Sequence, residues 1–238
     1  MQGELERALA TVCQEQIRIV GAGRTDAGVH ATGQVISFRP ANDQDQQAIR
    51  RGVNALLPED IAIRDVEEVG EGFHARFSAT GRTYEYRIRC APQRDPLERH
   101  REHWVPQELD VEAMERAAAR LVGRMDFASF AMAGMRTTVR TVRRAEIQRE
   151  GTLLRFEIEA DAFLRGMVRA IVGTLLWVGR GKISVARFAE IIESRDRAQA
   201  GPSAPANELC LIRVSYDQSE VRQTESGDRN WRLSEDDE

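Results

Sequence analysis

The chain has 238 residues, enough to bury a substantial core in one large α/β domain or in two smaller ones. Its composition, 42% hydrophobic and 30% charged, excludes a disordered chain, and no apolar run reaches the roughly 18 residues of a membrane-spanning helix. The net charge is −4, but residues 217–238 hold eight acids against three arginines, so residues 1–216 alone carry +1. This distribution leaves nucleic-acid binding open.

Hydrophobic periodicity predicts an alternation of helices and strands along the chain. The first part is expected to run as helix 2–13, strand 17–20, strand 33–38, helix 43–56 beginning near Asp43 or Asp45, strand 61–69 and strand 81–90. A segment rich in proline and arginine, 91–108, is typical of a linker. The second part is expected to run as helix 110–122, strands around 138–149 and 152–160, helices near 163–178 and 184–194, and strand 209–216.

This order of elements predicts an α+β protein with two similar halves, whose antiparallel sheets form a shared central sheet and cleft. We place the halves at residues 1–95 and 96–216, and we expect the acidic tail, 217–238, to be disordered.

Cysteine and histidine give no indication of a metal. Cys13, Cys90 and Cys210 are far apart and odd in number, which fits neither a disulfide framework nor a zinc motif. The histidine pair in HREH (100–103) fits a solvated loop better than a metal clip. The N-terminus carries acids where a signal peptide needs a basic and then an apolar stretch, so we expect a cytoplasmic protein.

The stretch GAGRTDAGVHATGQV (21–35) is the most unusual in the chain. It has no lysine after its glycines, as a phosphate-binding P-loop requires, and its glycine spacing misses the dinucleotide fingerprint by two residues. One interpretation is a tight turn, in which Gly21, Gly23 and Gly28 adopt positive φ and Asp26 caps the turn. The other is a catalytic loop that presents Asp26 beside Arg24 as an ionised nucleophile or base. The residues alone leave these two interpretations nearly even.

This stretch resembles the signature of the TruA family of tRNA pseudouridine synthases, a G-R-T-D-x-G-V-H run. Further stretches resemble successive family blocks in the family's order: GVNALLPEDIAI (52–63), FHARFSATGRTYEYRI (73–88), LVGRMDFASF (121–130), FLRGMVRAIVGTLLWVG (163–179) and SAPANELCLIRVSY (203–216). The resemblance covers residues 2–216 and implies the pseudouridine synthase fold.

The resemblance implies an isomerase that converts uridine to pseudouridine at positions 38 to 40 of the tRNA anticodon stem-loop, without a cofactor. Asp26 matches the family's nucleophile, which attacks either the ribose C1′ or the base. Arg24 would hold the target nucleotide outside the stacked bases of the RNA. Moving a nucleotide out of the stack costs a few kcal/mol. The family's homodimers grip one tRNA across both subunits, which implies a homodimer here.

Two further residues match the family's active site. Tyr84 would stack on the uracil and assist proton removal at C5, although an ordinary strand aromatic that shares a face with Tyr86 explains it too. Arg169 would pair with Asp26; its position at the border of an apolar helix stripe demands some carboxylate partner, and Asp161 or Glu159 could also serve.

RNA contacts are expected from Arg24, Arg76, Arg82 and the basic stretch RTTVRTVRR (136–144), above all Arg136 and Arg140. A solvated strand face explains that stretch equally well.

The chain departs from the family pattern in several places. It starts inside the helix that normally follows an N-terminal strand with a Y-D-G-T-x-x-x-G-W-Q block, so either the start is assigned too late or the protein lacks that strand. Smaller departures are Met125 where the family often has histidine, Ala170 where asparagine is common, and Glu208 in place of glycine. A catalytically inactive RNA-binding protein of the same fold is therefore the main alternative function; a carboxylate hydrolase would need a second acid beside Asp26, and none is evident.

Overall fold

The computed structural model of the protein describes residues 1–41, 44–132, 134–135 and 137–217. Apart from Asp217, the tail expected to be disordered lies outside these residues. The chain divides into two units. The helical unit consists of residues 1–20, 36–78 and the chain from Tyr216 onward, and the sheet unit consists of residues 21–35 and 79–215. This division is drawn differently from the predicted halves, 1–95 and 96–216, which stay a prediction about the organisation of the sequence.

The helical unit is built on two amphipathic helices. Helix α1 spans Gln2–Cys13 and helix α2 spans Gln46–Leu56. The side chain of Asp45 caps α2 by accepting from the backbone N–H groups of Gln47 and Ala48, so the later of the two predicted starts is confirmed. The core of this unit combines the apolar faces of both helices: Leu5, Ala8, Leu9, Cys13, Ile17, Ile19, Ile49 and Val53.

The predicted strand at 61–69 is wrong. Its alternation was a true sign of burial, because Ile61, Ile63 and Val66 pack against the core of the helical unit. The backbone, however, bonds to a side chain instead of a neighbouring strand. Asn54 on α2 accepts from the Ile63 N–H at 2.7 Å and donates to the Ile63 carbonyl at 2.8 Å. The side chain of one asparagine thus provides hydrogen bonds that the backbone of a neighbouring strand would otherwise provide.

Three very short strands frame the glycine-rich stretch: β1 at Val20–Gly21, β2 at His30–Ala31 and β3 at Ile36–Ser37. β1 and β3 pair in a two-stranded sheet. The strands expected at 17–20 and 33–38 therefore shrink to two residues each, because most of this stretch is loop.

The remaining strands are β4 (Ala79–Cys90), β5 (His103–Val105), β6 (Gly123–Asp126), β7 (Val139–Glu150), β8 (Leu153–Ala160) and β9 (Leu209–Tyr216). Within the described residues they form one sheet with β2, in the order β2-β9-β4-β8-β7-β6, with β5 beside β4. The β4–β8 and β7–β8 pairs are antiparallel as expected. The β6–β7 pair is antiparallel too, although no strand was predicted at β6, and the β2–β9 and β4–β5 pairs are parallel, so the sheet is mixed. The α+β class is confirmed.

Strand β5 lies within the segment predicted to be a linker. A bidentate ion pair holds it beside β4, since Arg89 Nε and Nη2 donate to the two carboxylate oxygens of Glu102 at 2.7 and 2.8 Å. The sequence does not reveal this strand, because it lies in a segment rich in proline and arginine and because three residues are too few to show a period.

Three helices complete the sheet unit: α3 (Val111–Ala118), α4 (Met167–Gly179) and α5 (Val185–Ser194). Their apolar residues form one core with the inward side chains of β4, β7 and β8, among them Tyr86, Phe156 and Ile158. Helix α4 is more deeply buried than a single apolar stripe implies. Within it only Arg169 and Trp177 keep partial exposure.

A close approach of two backbones seats residues 200–204 against α4. A Cβ on Gly173 would lie 1.7 Å from the Pro202 carbonyl oxygen, and one on Gly201 would lie 2.8 Å from the Gly173 carbonyl carbon. The Gly201 N–H also donates to Thr174 Oγ1 at 2.9 Å. Glycine is required at both positions because any side chain would push the segment off the helix.

We expect Gly173→Ala to lower the free energy of unfolding by about 2–3 kcal/mol through this overlap. Urea unfolding followed by tryptophan fluorescence measures it, since Trp104 and Trp177 both lie in the sheet unit. Gly3→Ala is the control, because Gly3 in α1 has no heavy atom within 4 Å of an added Cβ. Equal midpoints for Gly173→Ala and the wild type would contradict the packing described here.

Candidate active site

Asp26 lies in the loop between β1 and β2, within the sheet unit. Its carbonyl accepts from the Val29 N–H at 3.1 Å, which closes a turn around Gly28. Gly28 has φ 85°, and a Cβ there would lie 2.4 Å from Asn207 Oδ1. Of the three glycines expected to adopt positive φ, only Gly28 does so; Gly21 and Gly23 do not. The turn therefore depends on one glycine and on its contact with the segment before β9.

Arg82 on β4 fixes the start of this loop. Its Nη2 donates to the Ala22 carbonyl at 2.9 Å, while Nη1 donates to the carbonyls of Asp161 at 2.9 Å and Ala79 at 3.0 Å. Ala22 is buried, and its N–H donates to the Val35 carbonyl at 2.8 Å. The planar guanidinium thus connects the loop, β4 and the end of β8. Arg82 supports the loop that carries Asp26, and its RNA contact stays a prediction.

The structure brings Arg169 and Asp26 together. Arg169 lies in the first turn of α4, and its Nη1 donates to Asp26 Oδ2 at 3.2 Å. Residues 200–204 hold the arginine at both ends: its Nε donates to the Ala204 carbonyl at 2.7 Å, and its own carbonyl accepts from the Ala204 N–H at 2.9 Å. Both side chains are about one-quarter exposed, so the pair is open to a ligand while its geometry is fixed.

The other two acids considered as partners for Arg169 have contacts elsewhere. Glu159 lies 3.5 Å from Arg143 Nη1. Asp161 Oδ1 accepts from the backbone N–H groups of Thr141 and Ala162. Between the alternatives that the sequence left open, the observed geometry therefore selects Asp26.

Arg165 is a second cation at Asp26 that the sequence reasoning missed. Its Nε lies 3.7 Å from Asp26 Oδ1, and its side chain is 70% exposed. Arg165 precedes α4 and is separated from it by Gly166, which caps the helix with φ 72°, so helical spacing does not place Arg165; its position in the same motif stretch as Arg169 was the available signal. The carboxylate is thus paired on one oxygen by a held arginine and on the other by a solvated one.

Tyr84 lies on β4 on the same face as Tyr86, at the rim of the core. Its ring packs edge-on against Phe163, with centroids 5.1 Å apart. Burial raises the pKa of its hydroxyl to about 12, with nearby Arg82 lowering it and Asp26 raising it further. The phenol is therefore protonated at neutral pH, and the Asp26 carboxylate is close enough to influence its pKa.

A cleft of about 930 Å³, a size typical of ligand sites, is lined by Asp26 and Arg169, whereas Tyr84 and Arg165 are not among its lining residues. Its lining combines charged side chains with two exposed methionines: Asp26, Arg169, Arg195, Asp196, Arg197, Ser203, Met132 and Met135, among others. All of the lining residues belong to the sheet unit.

The predicted RNA-binding residues lie in different places. Arg24 is exposed in the loop beside Asp26. Arg76 is exposed in the helical unit, with its guanidinium carbon 5.6 Å from the centre of the Phe77 ring. Arg140 on β7 is partly buried, and Arg136 lies outside the described residues. The structure places Arg24 near Asp26 and gives no such neighbourhood for Arg76.

The rest of the basic stretch makes ion pairs, some across the β7–β8 pair and one within β7. Arg143 lies 3.5 Å from Glu159, and Arg144 contacts both Glu157 and Glu146. These two arginines fit the alternative of a solvated strand face better than a free basic patch.

Comparison with known proteins identifies the family. The family model for tRNA pseudouridine synthase matches residues 1–78 and 117–217. The chain belongs to the tRNA pseudouridine synthase family. It is 46% identical over 218 residues to tRNA pseudouridine synthase A of Neisseria gonorrhoeae, covering 91% of this chain and 82% of that protein. It is 48% identical over 235 residues to the Chloroflexus aurantiacus protein of the same name, covering 96% and 84%.

A third relative, tRNA pseudouridine synthase A of Acetivibrio thermocellus, is 42% identical over 218 residues, covering 91% of this chain and 89% of that protein. The resemblance drawn from the sequence motifs is thereby confirmed, and the chain is an isomerase of the tRNA pseudouridine synthase family. No helix among the described residues is long and apolar enough to cross a membrane.

Glu208, which stands where the family pattern has glycine, is buried at the start of the β9 segment beside Tyr86 and Arg169. Its Oε2 has no hydrogen-bond partner among the described residues. Burial raises the pKa of its carboxyl, while His100, His30 and Arg169 oppose the shift. The chain therefore carries a buried carboxyl that is costly to ionise and close enough to Arg169 for the two charges to interact.

We expect Tyr84 to resist ionisation in the folded tRNA pseudouridine synthase. At pH 11 a tyrosine of ordinary pKa is about 90% ionised, whereas a pKa of about 12 leaves about 10%. The difference in tyrosinate absorbance near 295 nm between the wild type and Tyr84→Phe measures this fraction. Circular dichroism at the same pH verifies that both are folded. Titration of Tyr84 with a midpoint near 10 would contradict its burial.

We expect Glu208→Gln to be more stable than the wild type by about 1 kcal/mol at pH 8, because an unsatisfied buried carboxylate is removed. A raised pKa in the folded state means that the wild type loses stability as pH rises above the ordinary value of 4.5, so the difference shrinks toward pH 4.5. Urea unfolding at both pH values measures it. Glu115→Gln, an exposed glutamate on α3, is the control and should change neither midpoint. If the difference in unfolding free energy between Glu208→Gln and the wild type were the same at both pH values, or larger at pH 4.5, Glu208 would ionise without cost.

Proposed function

We propose that this enzyme isomerises uridine to pseudouridine at positions 38, 39 and 40 of the tRNA anticodon stem-loop, with Asp26 as the nucleophile. The observation that carries the proposal is the Asp26 carboxylate itself. It lines the cleft, is paired with Arg169 and Arg165, and sits on a loop held by Arg82 and Gly28. A carboxylate fixed in this way is oriented for attack before the substrate arrives.

The reaction needs no atoms beyond the substrate and the enzyme. The carboxylate attacks the nucleoside, at the ribose C1′ or at the base, and the N1–C1′ bond breaks. The detached uracil turns within the cleft, and C5 forms a new bond to C1′. The hydrogen at C5 leaves as a proton and N1 takes one up, so the product is an isomer of the substrate and Asp26 is regenerated.

Arg169 serves this chemistry by holding the carboxylate and by neutralising part of its charge. Because its Nε is bonded to the Ala204 carbonyl, the guanidinium cannot follow a moving substrate. It therefore fixes the direction in which the Asp26 oxygens point. Arg165 is exposed and more loosely paired, so the Asp26 oxygen that it contacts can be released to attack the nucleoside.

Tyr84 supplies a stacking surface for the uracil. Its neighbour Phe163 holds the ring edge-on, so the aromatic face keeps one orientation. The raised pKa, about 12, makes the phenolate scarce at neutral pH. Assistance to proton removal at C5 therefore requires a hydrogen-bonded acceptor that takes the phenol proton in turn, and stacking is the role we assign first.

Arg24 is placed to hold the nucleotide that has left the helical stack, since it is exposed in the same loop as Asp26. Arg76, Arg82, Arg136 and Arg140 complete the proposed RNA contacts. A homodimer that grips one tRNA with both subunits would let a nearly neutral subunit, +1 over residues 1–216, build a basic groove. The cytoplasm, where tRNA is found, is the proposed location.

The decisive experiment is tritium release from [5-³H]uridine in an anticodon stem-loop transcript. We expect release by the wild type, and a loss of at least about 10⁴-fold in Asp26→Asn, because the amide is no nucleophile. Asp65→Asn is the matched control, since Asp65 is an exposed carboxylate of the helical unit and should leave the rate unchanged. Transcripts with uridine at only position 38, 39 or 40 test the positions one by one.

The remaining outcomes separate the alternatives. Wild-type binding without tritium release would favour the catalytically inactive RNA-binding protein. Release by Asp26→Asn at the wild-type rate would overturn the assignment of the nucleophile. Release from only one or two of the three transcripts would narrow the substrate and leave the chemistry intact.

A further inference from the structure

We propose that Arg195 is a positioning residue that binds a phosphate of the RNA backbone at the edge of the cleft. The inference rests on the proposed function, because it requires an RNA substrate in the same cleft. Nothing in the sequence motifs singled out Arg195; its backbone conformation and its place in the structure carry the inference.

The first observation is the backbone of Arg195. It ends α5 with φ 54° and ψ 23°, in the left-handed region that favours glycine. Among the described residues, only Gln14 and Arg195 adopt a positive φ without being glycine. A left-handed residue is a common way to end a helix, although glycine would be more stable there, so this conformation fixes the backbone from which the Arg195 side chain extends.

The second observation is where the side chain lies. Arg195 lines the cleft that contains Asp26 and Arg169, and it also borders a second depression of about 440 Å³. Its side chain is 68% exposed. Arg195 therefore lines both depressions, and its exposed side chain is accessible to an RNA strand bound in the cleft.

The third observation is the state of the other cations in the cleft. Arg169 is bonded to Asp26 and to the Ala204 carbonyl. Arg197 donates to the carbonyls of Ala200 and Gly201 and to Ser203 Oγ. Both guanidinium groups are thus engaged by the fold. Arg195 is the cation of this lining with the most freedom to meet a phosphate.

Asp126 at the end of β6 orients the Arg195 guanidinium without using all of its N–H donors. Arg195 Nε lies 3.3 Å from Asp126 Oδ2, and Asp126 Oδ1 accepts from the Ala128 N–H at 3.1 Å. Within the described part of the chain, Asp126 is the one carboxylate at ion-pair distance from Arg195. A guanidinium has five N–H donors in a rigid fork, so the Nη groups remain for a bidentate phosphate contact.

The experiment compares Arg195→Gly with Gln14→Gly, the matched control that removes the same backbone strain at the end of α1. Both variants should unfold at higher urea concentration than the wild type. Only Arg195→Gly should weaken binding of the tRNA transcript, by about 5–10-fold, and lower the slope of log Kd against log salt by about 1. The loss should appear in KM rather than in kcat, and Arg195→Lys should restore part of the affinity.

The outcomes distinguish this inference from the proposed function. If the wild type neither binds the transcript nor releases tritium, the proposed function fails. If the wild type is active but Arg195→Gly keeps its KM and its salt slope, the inference about Arg195 is wrong. Equal weakening by Gln14→Gly would also overturn it, because the effect would then come from the backbone and not from the guanidinium.

Discussion

The contact between Arg169 and Asp26 is the interaction on which the rest of the site depends. A carboxylate on a glycine-rich loop has no fixed direction of its own, and an arginine on a nearly buried helix needs a counter-charge. Each group supplies what the other lacks. Because the Arg169 Nε is bonded to the Ala204 carbonyl, the arginine is the rigid member of the pair and the carboxylate adjusts to it.

Three distant stretches of the chain have to meet for this pair to form. The loop that carries Asp26 is held by Arg82 of β4 and by the contact of Gly28 with Asn207. The Ala204 carbonyl is in place because Gly173 and Gly201 let two backbones touch. The features that build the site are therefore backbone contacts far from the chemistry. The proposed phosphate contact of Arg195 would depend on the backbone in the same way, because the side chain extends from the left-handed residue that ends α5.

The sequence predicted the long elements well, for identifiable reasons. Helix α1, strand β9 and the capped start of α2 follow from period and capping, which are local properties. The prediction of a strand at 61–69 is wrong because alternation indicates only burial. A strand also needs the backbone of a neighbouring strand as its hydrogen-bond partner, and here the Asn54 side chain takes that place. Family motifs pointed to Asp26 and Arg169, and the stretch that contains Arg169 also contains Arg165, whose distance from Asp26 only the fold reveals. Arg195 belongs to none of the motifs, and its left-handed backbone leaves no trace in composition. Contacts between remote segments, such as Arg82 with Ala22, are invisible to any local pattern.

The central claim is that a held Arg169 orients Asp26 for the chemical step. Single-turnover rates with enzyme in excess over tRNA test it most directly, for the wild type, Arg169→Lys and Arg169→Gln. We predict that lysine, which keeps the charge but lacks the fork that bonds Ala204 and Asp26 together, slows the chemical step by about 10²-fold, and that glutamine slows it further. Transcript affinity should stay within about twofold of the wild type in both, because the contact acts on the carboxylate. A chemical step in Arg169→Gln as fast as in the wild type would contradict the account.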